Sequence, residues 1–131
     1  MSKTIALLVT LDTKDQEAAF VREQIEKRGH KVLLMDIGVV GTPGIPADFT
    51  REKIAEAGGR SLQSLLVNPT REEAGQVIVD GCRKILKDLV AKGEVHAILG
   101  LGGTQGTSSC CDIMQVLPYG LPKIMVSTVA S

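Results

Sequence analysis

Short apolar runs alternate along the chain with stretches of helical period. Thr4 to Val9 is a continuous β-type run, too short for a helix and flanked by polar residues. Thr13-Lys14-Asp15-Gln16 has the form of a capping box, with Thr13 as N-cap and Gln16 at the third helical position. Ala18, Val21 and Ile25 share one face of the helix that follows, and Gly29 ends it. A second strand is expected over Lys31 to Ile37. Gly38 to Asp48 holds three glycines and two prolines and reads as a loop. Loops of that length inside a compact domain are more often functional than idle.

Thr50 predicts the cap of a short helix through Ala57, stopped by Gly58-Gly59. Leu62, Leu65, Leu66 and Val67 fit either a short helix or an extended segment. The most regular helix starts at Asn68-Pro69 or Thr70, where a proline and a Thr70-to-Glu73 capping box agree. Ala74, Val77, Ile78, Cys82, Ile85, Leu86 and Leu89 then recur at three- and four-residue steps until Gly93. A third strand is expected over Val95 to Leu99, a Gly-rich loop over Gly100 to Thr107, and a helix from about Thr107 to Val116. Pro118 to Pro122 is a turn, and Lys123 to Thr128 a fourth strand.

Each crossover is long enough for the right-handed parallel connection. The expected fold is therefore α/β: an open parallel sheet of about four strands in a three-layer, Rossmann-like lobe, for which the order 2-1-3-4 fits. Residues 1–131 form one such lobe. Ser127-Thr128-Val129-Ala130-Ser131 looks like a strand passing into another βα turn, so the lobe is expected to be the N-terminal part of a longer, two-lobed domain.

Composition supports this picture. Aromatic residues make up 2% of the chain, so the core must come from Ile, Leu, Val and Ala, as parallel sheets use. Fifteen basic residues balance fifteen acidic ones, which leaves no net field toward nucleic acid or an anionic membrane. With so few aromatics there is no stacking platform for single strands either. No apolar run approaches the roughly 20 residues that span a bilayer. Asp12, Lys14 and Asp15 cut the first apolar run short of a signal peptide. Cys82, Cys110 and Cys111 are odd in number and lack metal-type spacing, which reads as reduced thiols in a cytoplasmic protein.

In open parallel sheets, ligands bind beyond the carboxyl ends of the strands. Here those ends are Thr10, Asp12, Thr13 and Lys14; then Asp36, Gly38 and Gly41; then the Gly-rich loop; then Ser127, Thr128 and Ser131. All are polar, small or charged, whereas the opposite ends carry Lys3, His30 and Glu94. Glycines at Gly102, Gly103 and Gly106 allow close backbone approach, and amides at a helix start favour a phosphate, with the Thr104 and Thr107 hydroxyls beside them. The same glycines would also serve a tight βα turn. Lys14 falls in a first helical turn, where a cation opposes the helix dipole and a bound anion would relieve it; a solvated surface lysine is the other reading. Asp36 stands where a ribose hydroxyl is often bound, or acts as a turn former. Asp12 either holds magnesium through water or orders its turn. Both histidines fall away from this edge. Cys110 reads as a small core residue before it reads as a nucleophile.

Thr10-Leu11-Asp12-Thr13-Lys14, Asp36-Ile37-Gly38 with Gly41-x-Pro43, Gly102-Gly103-Thr104-Gln105-Gly106-Thr107, and Leu117 to Lys123 with Val126 to Ser131 resemble the N-terminal lobe of the tomato mosaic virus resistance protein family. The resemblance implies an ATP-binding domain of two Rossmann-like lobes that self-associates. It carries the nucleotide role to Thr10, Asp12, Thr13, Lys14, Gly102, Gly103, Thr104, Gly106, Thr107, Ser127 and Thr128. The expected function is therefore binding of ATP, with or without magnesium, in a homo-oligomer completed by a second lobe. Phosphoryl transfer or hydrolysis on a small substrate is one alternative, and an interaction module stabilised by nucleotide is another. No membrane or direct nucleic-acid partner is expected.

Overall fold

The computed structural model describes residues 2–39, 41–67 and 71–127. Its elements run β1 (Thr4–Val9), α1 (Asp15–Lys27), β2 (Lys31–Asp36), α2 (Arg51–Ala57), α3 (Leu62–Val67), α4 (Arg71–Ala91), β3 (Ala97–Gly102), α5 (Thr104–Met114) and β4 (Lys123–Ser127). The strands form one sheet in the order β2-β1-β3-β4, all neighbours parallel. The expected α/β lobe and its strand order are both found.

Alternation along β1 explains why the sheet has two cores. Ala6 and Leu8 point to one face, where Met35 and Ile98 join Ile54 of α2, Ile78, Cys82 and Leu86 of α4, and Cys110 and Ile113 of α5. Leu7 and Val9 point to the other, where Leu34 and Leu101 meet Ala18 of α1. Being buried on both sides, β1 has to be a continuous apolar run. The α2 and α4 backbones approach closely because Gly58 and Gly81 carry no side chain: a Cβ on Gly81 would strike the Ile54 carbonyl.

Local chemistry sets several element ends. Thr50 caps α2 by accepting from the Lys53 amide at 3.3 Å, as its sequence predicts. The Leu62–Val67 segment is helical. Asn68, Pro69 and Thr70, the expected start of α4, lie outside the described residues.

Two expectations need correction. Thr13 does not cap α1: the cap position is Lys14, without a side-chain bond, and the Thr13 hydroxyl pairs with that of Thr10 at 3.0 Å. The Gly-rich segment is not a long loop. Gly100, Leu101 and Gly102 belong to β3, Gly103 alone makes the joint, and α5 begins at Thr104. Leu101 is 9% exposed and packs with Leu7 and Val9, which is why the segment stays in the sheet.

Candidate functional site

The order β2-β1-β3-β4 makes β1 and β3 the point where the chain reverses direction across the sheet. The helix after β1 packs on one face and the helix after β3 on the other, the arrangement that in open parallel sheets puts a ligand crevice at the carboxyl ends of those two strands. Val9 and Leu101 are paired in register there, which brings Thr10 to Lys14 alongside Gly102 and Gly103.

On the β3 side, Gly102 ends the strand against the first turn of α5. A Cβ on Gly102 would lie 2.9 Å from the Gly106 Cα and 2.8 Å from its carbonyl carbon, so glycine there allows helix and strand to touch. The Thr107 hydroxyl donates back to the Gly103 carbonyl at 2.5 Å and lies 2.6 Å from the Ser127 hydroxyl. That contact fastens the end of β4 to α5. Gly103 caps α5 without a side chain, and the first turn of α5 contains no acidic residue. The positive end of this helix dipole is thus left uncompensated by its own sequence. Thr104 opens the helix, although its side chain lies outside the described part, as does Thr128.

On the β1 side, the Thr10 carbonyl accepts from the Thr13 and Lys14 amides at 3.3 and 2.9 Å, folding the chain into α1. Here the helix start is compensated: Asp15 and Glu17 stand in the first turn. Lys14 Nζ lies 3.6 Å from Glu17 Oε2, with a quarter of the side chain exposed. A surface pair of this kind holds an ammonium loosely.

Asp12, Asp36 and Gly38 are gathered differently, around a residue the sequence reading did not single out. Arg51 is 2% exposed and Asp36 1%. Arg51 Nε donates to Asp36 Oδ2 at 2.8 Å, and its Nη2 to Asp12 Oδ1 at 3.2 Å and Asp36 Oδ1 at 3.3 Å. Asp36 Oδ1 also accepts from the Gly38 and Leu11 amides at 3.0 and 3.3 Å. A Cβ on Gly38 would come within 2.5 Å of Arg51 Nη2. Asp36 and Gly38 therefore lie beneath the crevice, facing Arg51. One signal was available: Arg51 is a cation in the first turn of α2, where it opposes the dipole unless a carboxylate waits there.

The remaining reactive groups are elsewhere. His30 and His96 accept, through Nδ1, from the Lys3 and Thr4 amides at the opposite edge. Cys110 is buried, and that burial pushes its thiol up to about 12. Burial likewise raises the Cys82 thiol. Among the described residues, no three His, Cys, Asp or Glu side chains gather as a metal site, and no helix is long and apolar enough to cross a membrane.

Comparison with known proteins matches residues 3–131 to the uncharacterised protein family UPF0261, N-terminal domain. A UPF0261 protein of Clostridium tetani is 38% identical over 131 residues, covering 100% of this chain and 32% of that protein. A UPF0261 protein of Brucella suis is 31% identical over 129 residues, covering 98% of this chain and 31% of its own. The chain thus spans about one third of the length of these relatives. The tomato resemblance is narrower than the motifs suggest: the ToMV susceptible protein tm-1(GCR26) of Solanum lycopersicum is 46% identical over 43 residues, 31% of this chain and 6% of that protein.

Proposed function

The chain belongs to the UPF0261 family, whose N-terminal domain it represents, and we propose that this domain binds the phosphates of a nucleotide, ATP accompanied by magnesium, in the crevice between β1 and β3. The observation that carries the reading is the start of α5. It follows β3 through a single glycine, at the reversal point of the sheet, with neither a side-chain cap nor an acidic residue in its first turn. A phosphate there would accept from main-chain amides and complement the dipole. Thr10, Thr13 and Lys14 stand across the crevice, where an anion would draw Lys14 away from Glu17.

Binding is proposed in preference to phosphoryl transfer because, among the described residues, neither Asp12 nor a histidine is placed to act as a general base. Asp12 is paired with Arg51, and both histidines lie at the far edge. Calorimetry on the full-length protein with ATP and magnesium tests the reading. Saturable binding with one site per chain is expected, and no heat of binding at millimolar ATP would overturn it. Self-association of the full-length protein, implied by the tomato resemblance, is proposed with it; light scattering should then give a mass above that of one chain.

A further inference from the structure

The two faces of the sheet are covered unequally. Toward α4 and α5, the strands meet a continuous core. On the opposite face, α1 packs over β1 and β2, and Ile45 and Ala47 of the β2–α2 loop join it. β4 fares differently there. Its register with β3 pairs Ile124 with Leu99 and Val126 with Leu101, so these four apolar side chains share that face, but Leu101 is buried and Leu99 packs against the α1-side core. Ile124 is 60% exposed and Val126 49%, and neither belongs to a core cluster. The residues alternating with them, Lys123, Met125 and Ser127, are half-buried on the α5 side.

The flank of α1 continues the surface. In a right-handed β1-α1-β2 unit with Ala18 on the sheet, Val21, Gln24 and Arg28 fall on the flank of α1 nearer β3, with Phe20 at its outer rim. Phe20 is 61% exposed, and a depression of about 400 Å³ runs along this flank, lined by Phe20, Val21, Gln24, Ile25 and Arg28. Ile124 and Val126 lie on the same face as α1, and the open surface of β4 beside that helix is the trough. Contiguous apolar surface of this kind marks an interaction site.

The relatives are about three times as long as this chain, so each carries ample polypeptide beyond the matched domain. We propose that the trough seats an amphipathic helix from that downstream polypeptide of the same molecule. Handedness narrows which helix. A right-handed crossover from β4 to a strand placed outside it runs on the α5 face, as the crossover from β3 to β4 already does. The first helix after β4 therefore continues the covered face. The occupant of the trough is a later helix, returning across the sheet after that next strand.

The test uses the full-length protein with Cys111 replaced by Ser, because Cys111 is the exposed thiol while Cys82 and Cys110 are buried. Phe20→Cys, Ile124→Cys and Val126→Cys are introduced singly and their alkylation rates compared with that of Cys111 in the unsubstituted chain. Protection of at least about tenfold at all three, unchanged on dilution, is expected for a closed trough. Rates equal to that of Cys111 would overturn the proposal. Protection that disappears on dilution would do so as well, assigning the trough to a second copy. Carbene footprinting of the unsubstituted full-length chain reads the same three positions if a variant misfolds. A photo-crosslinker on Val126→Cys should capture a helix beyond the strand that follows β4. Capture of the helix immediately after β4 would overturn the order of elements.

Discussion

Arg51 and Asp36 meet with 2.8 Å between Nε and Oδ2, both almost completely sealed from solvent. One residue opens α2 and the other closes β2, so their pairing fixes the long β2–α2 connection to the edge of the sheet. Arg51 also donates to the Gly41 carbonyl at 3.2 Å, binding the middle of that connection.

Removing one member of this pair leaves the other charged and buried. Arg51→Met is expected to destabilise the domain by about 3–5 kcal/mol. Asp36→Asn should cost less, about 1–3 kcal/mol, because Arg51 keeps its pair with Asp12, and the double variant should cost less than the sum of the two. Urea unfolding of all three measures it; simple additivity would mean that the two side chains act independently.

The glycines around α5 separate close packing from ligand space. Gly102→Ala forces a Cβ onto the Gly106 backbone, with a cost of about 1–3 kcal/mol and displacement of the helix start. Gly106→Ala meets only the Leu101 carbonyl, at 4.0 Å. It should leave stability unchanged or raise it by up to about 1 kcal/mol, since alanine is the better helix former. Thermal unfolding distinguishes the pair, and equal losses would show that the packing argument is wrong.

These glycines show how far the sequence could be read. Element types and the polar carboxyl edge follow from periodicity and crossover rules, which allow the observed strand order without fixing it, and β1 matches its predicted limits because burial on both faces demands an uninterrupted apolar run. Gly100 and Gly102 look like loop residues on composition alone. Their place in β3 depends on Met125, Cys110 and Gly106, which touch them only in the folded chain. Arg51 escaped notice for a related reason: its carboxylate partners are 15 and 39 residues away, and a cation in the first turn of α2 is a local hint that does not name them.

The two buried thiols make stability fall at alkaline pH. Cys110 rises from an ordinary 9.0 to about 12 through desolvation, with Cys111 nearby adding to the rise. Its folded form keeps the proton that the unfolded chain releases, so the stabilisation is complete below pH 9 and is lost as pH rises toward 12. Each such thiol should lower unfolding free energy by about 1.4 kcal/mol per pH unit in that window. Urea titrations at about pH 8, 9, 10 and 11 measure the slope, and Cys110→Ala should make it shallower. At about pH 8, a thiol reagent should modify Cys111 alone in the native protein and all three cysteines in denaturant.

Lys14 tests the proposed site from the β1 side. Its side chain is 25% exposed and its ammonium lies 3.6 Å from Glu17, a pair that contributes little to folding. If a phosphate occupies the start of α5, that ammonium forms the opposing wall of the crevice. Lys14→Ala should weaken ATP binding about tenfold, or about 1.4 kcal/mol, while leaving the unfolding midpoint nearly unchanged. Glu17→Ala releases the ammonium from its competitor and should strengthen binding modestly. Both effects should shrink as salt is raised, because the groups are partly open to solvent. Calorimetry of the full-length variants at low and high salt measures all of this. An affinity unaltered by Lys14→Ala would reduce Lys14 to a surface lysine and leave the start of α5 to hold the phosphates alone.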